Sequence, residues 1–410
     1  MQRKIGMIGA MDTKGTEFAF LKQEIERRGF GVYVFDTGVL GEPGVQPDVN
    51  RDCIAAEGGL TIDELIALGD RGKAMRVMAA GAAKVVSQAA SRGEIQGLIG
   101  MGGTAGTAVA SSAMRSLPIG FPKLIVSTVA AGNTRDYVGT KDIVMLPAVV
   151  DVSGINRISR EIFTRAAGAI CGMTESDVIP ASDRKMIAAS MFGNTTACVE
   201  RAKGRLETDN LEVLVFHCTG VGGQTMESLA DAGLLGGILD ITTTEWADEI
   251  AGGVFAAGAE RGDAAAKRGI PQVIVPGCVD MVNFHARATV PERYAGRKLY
   301  EWNPNITLMR TTPDENARIG RILAEKANAS SGPAAFLLPL RGVSILDSPG
   351  QPFWDPAADE ACFEAIRKHV KGHIPVYEMD VNINDPVFAD RAADLLMEMM
   401  AGMPQAEKLA

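Results

Sequence analysis

Short apolar runs, each ending in a loop of glycine, threonine, serine or asparagine and each followed by a helix-length segment, recur along this chain. Residues 4–9 (KIGMIG) read as a first strand, 15–29 as an amphipathic helix stopped near Gly29, and 31–36 (GVYVFD) as a second strand. Residues 70–92 form a further helix rich in alanine and methionine, and strands follow at 95–100, 123–126 and 143–147. Strands alternating with helices define an α/β domain with a largely parallel sheet, because parallel neighbours need a crossover connection. The Gly-, Pro- and Asp-rich stretch 41–56 reads as a long loop over the sheet edge, a candidate lid. Ser153 is a candidate N-cap for the helix that closes this half.

Three of the strand-to-helix loops carry ligand-binding chemistry. The first holds Asp12, Thr13 and Lys14; the second, GMGGTAGT at 100–107, holds Gly102, Gly103 and Thr104; the third holds Ser127 and Thr128. Glycine lets backbone approach a ligand, and a helix N-terminus offers unpaired amides to phosphate or carboxylate. Neither the first loop nor the second matches GxxxxGK[ST], and GxGxxG is absent after the first strand, which disfavours an NAD-type oxidoreductase. Loops at the carboxyl ends of neighbouring parallel strands converge on one crevice, so the three are expected to act together.

After a linker at 176–185 the order begins again. Residues 185–207 parallel 4–29, 211–233 parallel the GMGGTAGT unit, 270–284 parallel the third loop unit, and 305–323 parallel 142–162. This suggests an internal duplication and two Rossmann-like lobes, 1–180 and 181–410, with a ligand cleft expected between them. The second lobe carries most of the candidate acids and bases: His217 before a GVGG turn, Asp240, and Asp280 and His285 after a PGCVD turn. Thr244 and Glu245 are placed to cap the helix after them, and Thr312 with Glu315 has capping-box spacing. Arg341, in the long loop 339–356, suits a phosphate or carboxylate. A last strand at 374–379 and a helix at 386–402 precede a tail, PQAEKLA, expected to fray.

A net charge of -9 over 410 residues gives no general attraction to nucleic acid or to an anionic membrane. No run of about twenty apolar residues is present, so no membrane span is expected. Six scattered cysteines, without CxxC spacing, read as buried free thiols of a cytoplasmic protein and not as metal ligands.

GAMDTKGTE (9–17), IGMGGTAGT (99–107), IVSTVAAGN (125–133), VFHCTGVGGQTME (215–227), LDITTTEWADE (239–249) and LRGVSILDSPGQPFWDP (340–356) together resemble the family of the ATP-binding N-terminal domain of the tomato mosaic virus resistance protein and its bacterial relatives. The resemblance implies two Rossmann-like subdomains, a homodimer and an ATP site; loop position puts that site on Asp12, Thr13, Lys14, Gly102, Gly103, Thr104, Ser127 and Thr128, with magnesium as an accompanying expectation. The plant member continues into a barrel domain resembling phosphoenolpyruvate-using enzymes, so a separate barrel protein is an expected partner. The leading expectation is an ATP-binding protein of small-molecule metabolism, an ATP-dependent enzyme being one form of it. Its acid substrate would lie between the lobes, with Asp12 or Asp280 reaching magnesium and Arg341 or His217 meeting the substrate. The alternative is a nucleotide-responsive module that docks a protein without chemistry.

Overall fold

A computed structural model describes residues 2–177 and 183–402. The middle of the expected linker, 178–182, and the tail 404–410 lie outside the described residues. The chain divides into two compact units, Met1–Pro180 and Ala181–Ala410.

The first unit runs β1 (Lys4–Gly9), α1 (Gly15–Glu26), β2 (Gly31–Asp36), α2 (Arg51–Glu57), α3 (Ile62–Leu68), α4 (Arg71–Ser91), β3 (Gly97–Gly102), α5 (Thr104–Arg115), β4 (Lys123–Ser127), α6 (Arg135–Val138), β5 (Val144–Pro147) and α7 (Arg157–Glu175). Its five strands are all parallel, in the order β2-β1-β3-β4-β5. Because β1 feeds leftward to β2 while β3 lies on its other side, the winding direction reverses between β1 and β3. Ligands of such sheets bind outside the carboxyl ends at that point. One apolar layer (Phe18, Leu21, Phe163, Ile170) packs under α1 and α7, and another (Phe35, Met78, Val86, Met114) under α2 to α5.

Two expectations change here. Residues 51–57 are helical, since Asn50 caps the Cys53 amide and Ile54 and Ala55 are buried. The rest of that segment is no free lid: Val49 bridges Phe35, and Asp48 Oδ2 accepts from the Val34 amide at 2.8 Å. The cap of α7 is Asn156, in a reciprocal box with Ser159, and not Ser153.

The second unit runs β6 (Met186–Met191), α8 (Thr196–Thr208), β7 (Glu212–His217), α9 (Val221–Asp231), β8 (Gly237–Thr242), α10 (Glu245–Ala251), α11 (Asp263–Arg268), β9 (Gln272–Gly277), β10 (Met281–Phe284), β11 (Leu299–Asn303), β12 (Ile306–Arg310), α12 (Pro313–Asn328), β13 (Ala334–Pro339), α13 (Pro356–His369), β14 (Val376–Met379) and α14 (Pro386–Ala401). Six parallel strands stand in the order β14-β13-β9-β8-β6-β7, and β10-β12-β11 form a separate antiparallel sheet. Read from β7, the large sheet repeats the order of the first unit and adds β14. The matching of segments is different from that expected, however. β7 holds the place of β2, so the GVGG loop is not the counterpart of GMGGTAGT; β8 is. Residues 306–310 pair with β10 and β11 in the antiparallel sheet, and β13 takes the place of β5. The Thr312–Glu315 capping box forms as expected. All six cysteines are free; five are buried and Cys53 is exposed. Among the described residues no helix is long and apolar enough to cross a membrane.

Candidate functional site

In the first unit the loops after β1, β3 and β4 lie side by side because their strands are neighbours. The first loop is rigidly tied. Asp12 accepts from the Thr13 amide at 2.7 Å and, through its other oxygen, from the Leu40 and Gly41 amides at 2.8 and 3.2 Å. Both oxygens thus accept backbone amides, and Asp12 holds the loop after β2. Gly15 and Gly44 face each other so closely that a Cβ on Gly15 would stand 2.7 Å from Gly44 Cα. The Lys14 ammonium donates to the Val152 carbonyl, and the buried Glu17 carboxylate accepts from the Gly154 amide, fastening the loop after β5 to the start of α1. Thr13 is exposed.

The second loop is compact for a steric reason: a Cβ on Gly102 would meet Gly106 Cα at 3.1 Å, and one on Gly106 would meet the Met101 carbonyl at 3.2 Å. Gly103 is the extended N-cap of α5, and Thr104 is exposed as its first residue. Exposed Thr128 donates its amide to the Gly102 carbonyl at 3.2 Å, joining the second and third loops. Ser127 is fully buried, with its hydroxyl 2.6 Å from that of Thr107 and accepting the Val129 amide, so it serves the loop's interior.

The helix ends differ in how their free amides are met. Asn50, Thr61, Asp70 and Asn156 cap α2, α3, α4 and α7 with their side chains. Helices α1 and α5, the two that flank the reversal point, have no side-chain cap. Each is 12 residues long and so carries a full N-terminal partial charge. A cavity of about 600 Å³ opens beside α1, lined among others by Thr13, Thr16, Phe20, Gln23 and Arg160. The Arg160 guanidinium lies 5.2 Å over the Phe20 ring.

In the second unit α12, α13 and α14 carry local caps (Thr312, Asp355 and Asp385), α10 has no side-chain cap among the described residues, and α8, α9 and α11 are met by remote side chains. Glu245, expected to cap α10, instead turns to α9, where one oxygen accepts the Gly220 and Gly223 amides at 2.9 and 3.1 Å. Gly223 has to be glycine because a Cβ would stand 2.2 Å from that carboxylate. Asn384 accepts the Cys198 amide of α8 at 3.4 Å, and Glu227 accepts the Gly262 and Ala264 amides of α11.

Asp240 is held in a buried ion-pair network. Arg261, 2% exposed, grips it through two nitrogens at 2.8 and 2.6 Å, holds Glu245 at 2.7 Å, and reaches Glu227 at 3.4 Å. Ser190 donates to Asp240 at 2.6 Å. Burial pushes Glu245 and Glu227 up, and Arg261 opposes it. These contacts engage both Asp240 oxygens.

Asp280 is fully buried after Cys278, a non-glycine residue at φ 57°. Ser344 donates to its Oδ2 at 2.8 Å, while its Oδ1 has no partner. Arg310 binds Asp359 at 2.7 Å and Asp347 at 3.5 Å. Burial and the neighbouring Asp347 charge push both Asp280 and Asp359 well above the ordinary carboxylate range, against the pull of Arg310. His217 is exposed with its ring 5.4 Å from Phe192, and burial of its inner side lowers its pKa. Arg341 forms an exposed bidentate pair with Asp380 at 2.8 and 3.1 Å, and His285 is exposed. Thus Asp240 and Asp280 sit in separate buried networks, and neither His217 nor Arg341 bonds to them. Sequence reasoning missed Arg261, Arg310 and Asp359; Arg261 lies in an AERGD loop that carries no local signal. Among the described residues no three His, Cys, Asp or Glu side chains are grouped to hold a metal.

Residues 3–178 and 184–400 match the N-terminal and C-terminal domain models described as "Uncharacterised protein family (UPF0261)". A UPF0261 protein of Clostridium tetani is 46% identical over 402 residues, covering 98% of this chain and all of the relative. One of Rhizobium meliloti is 44% identical, covering 95% of this chain and 97% of the relative. The ToMV resistance protein Tm-1(GCR237) of Solanum lycopersicum is 41% identical over 337 residues, 80% of this chain but 45% of the tomato protein. Among solved structures, a putative UDP-N-acetylglucosamine 2-epimerase from Listeria monocytogenes covers both chains fully at 10% identity and a TM-score of 0.25, too slight a likeness to bear on activity. With both halves matched and relatives spanning its length at these identities, the chain belongs to the UPF0261 family.

Proposed function

We propose that the first unit binds ATP at the carboxyl edge of its sheet, in the service of an ATP-dependent reaction on a small acid. The observation that carries this reading is the contrast in helix ends. At the reversal point, α1 and α5 present first-turn amides that no side chain among the described residues accepts from, whereas α8, α9 and α11 of the second unit have theirs met by Asn384, Glu245 and Glu227. Polyphosphate is the ligand such a pair of ends favours, since amides and helix dipoles both direct positive potential outward. Lys14 adds a cation at the same edge, with one of its three N–H groups spent on Val152. The neighbouring cavity has room for a base and sugar beside Phe20, Gln23 and Arg160.

Thermal unfolding with and without ATP and magnesium tests the proposal. Ligand at a hundredfold excess over Kd adds about 2.7 kcal/mol of stability, and Lys14→Ala loses most of the resulting shift. No shift at millimolar ATP refutes nucleotide binding.

A further inference from the structure

A second cavity of the first unit, of about 410 Å³, is lined by Ala108, Ser111 and Arg115 of α5 and by Asn133, Asp136 and Tyr137 of the segment after β4. Positions 108, 111 and 115 fall on one face of a helix, and the small alanine and serine leave room beside it. Arg115 is held in place by the segment across from it. Its Nη1 donates to the Asp136 carbonyl at 3.2 Å and to the Tyr137 carbonyl at 2.7 Å, which joins α6 to α5. Both hydrogens of Nη1 are thereby used, while Nε and Nη2 have no partner among the described residues.

That free pair of nitrogens is the fork that matches a carboxylate. Arg201 and Arg341 hold Asp390 and Asp380 with the same two atoms. Arg261, Arg310 and Arg297 are withdrawn from solvent, as Arg115 is, and each is paired with a carboxylate. Arg115 is half-buried with no carboxylate at ion-pair distance among the described residues, and burial lowers its pKa. A guanidinium that has given up water without gaining an anion is poised to take one.

The other lining residues restrict which anion fits. Asn133 accepts the Arg135 amide through Oδ1 at 3.1 Å, so its NH2 group is unspent, and the Tyr137 hydroxyl and the exposed Asp136 carboxylate have no partner among the described residues. Asp136 repels a second carboxylate and accepts from a hydroxyl or an ammonium group. We infer that this cavity seats a small monocarboxylate that also carries a hydroxyl or ammonium donor, with its carboxylate on Nε and Nη2 of Arg115 and its donor toward Asp136. The inference deepens the proposed reaction on a small acid and rests on that reading for the acid's role. Ala108 lies four residues, about 6 Å of helix rise, beyond Thr104, where the amides proposed for phosphate begin.

Isothermal titration calorimetry of the full chain tests this with three-carbon probes that carry the polar anchors alone: lactate, alanine, propionate, which lacks the donor, and propylene glycol, which lacks the carboxylate. Lactate, alanine or both are expected to bind at millimolar concentration, propionate more weakly, and propylene glycol not at all. Binding of lactate alone assigns a hydroxy acid, and of alanine alone an amino acid. Lysine cannot form the fork, so Arg115→Lys is expected to weaken the bound acid at least about tenfold. Asp136→Asn alters an exposed side chain with no bond to lose, and so serves even if Arg115→Lys does not fold; it is expected to cost the bound acid more affinity than it costs propionate. The titrations contain no nucleotide and the ATP shift is measured without acid, so failure of either reading leaves the other measurement standing. No binding of lactate or alanine, propionate or propylene glycol binding as tightly as they do, or unchanged affinities in either variant would overturn the inference.

Discussion

Replacing Arg261 by Met removes the one cation from a buried set of three carboxylates while keeping much of the side chain's volume. Glu227 retains the Gly262 and Ala264 amides, so its loss is small. Asp240 loses two bonds, of 2.6 and 2.8 Å, and Glu245 loses one of 2.7 Å. Charge-assisted bonds contribute about 1.5–3 kcal/mol each, so three exceed about 4 kcal/mol. Protonation of a stranded carboxyl caps the loss, which places it near 5 kcal/mol at pH 8, the upper end of what breaking a buried pair costs. That is a large part of the roughly 5–15 kcal/mol that stabilises a domain. The pH dependence carries the sign. Without Arg261 the folded-state pKa of Glu245, already raised by burial, moves further above its unfolded value. The stability held by the protonated form is present below the unfolded pKa and is lost as pH climbs, by up to about 1.4 kcal/mol per unit per proton. Guanidinium denaturation of the full chain, read by tryptophan fluorescence at pH 5.5 and pH 8, measures both quantities for the unit concerned. A loss below about 1 kcal/mol at pH 8, or an equal loss at both pH values, would refute the view that uncompensated buried charge is what Arg261 prevents.

Two further outcomes are expected. In Gly81→Ala the new Cβ would stand 1.8 Å from the Ile54 carbonyl oxygen, so α2 and α4 have to part. The helix-propensity gain of about 1 kcal/mol is outweighed, and a net loss of about 1–3 kcal/mol should appear in thermal unfolding by circular dichroism while the tryptophan transition stays put. Asp248, whose carboxylate accepts from the Asn283 side chain at 2.6 Å and from its amide at 3.0 Å, has its pKa pushed up from 3.8 to about 7 by burial. Its protonation therefore stabilises the fold fully below pH 3.8 and progressively less up to about pH 7; at 1.36 kcal/mol per unit the change is about 4 kcal/mol. Asp248→Asn, with the Asn283 amide turned so that its unpartnered oxygen accepts, should flatten that window in a pH series of denaturation curves.

What was legible in the sequence was what closes within a few residues. β1 and β2 have the bounds their apolar runs suggest, and Gly29, at φ 85°, turns the chain just after α1 as a glycine there should. The 312–315 capping box needed only its own turn. Strand 306–310 was visible as a strand, but its neighbours were not, because its register against 281–284 is set by residues more than twenty positions away. The side chains misread follow the same rule. Glu245 has the spacing of a local cap and serves a helix that begins at Val221; Asp12 has the look of a ligand group and ties the loop at Leu40; Asp240 has the look of a catalytic acid and is claimed by Arg261. In each case the competing partner lies across a strand or a loop and has a geometry no local pattern encodes. The comparison on which the ATP reading rests belongs to this same class. Glycine loops before helices occur in both halves of the sequence and look alike there. They become different only when folding brings Asn384, Glu245 and Glu227 to the amides of one set and, among the described residues, no side chain to those of α1 and α5 in the other. A carboxylate already fixed at a helix N-terminus repels an incoming phosphate, so Glu245 at α9 and Glu227 at α11 disfavour phosphate at those two ends.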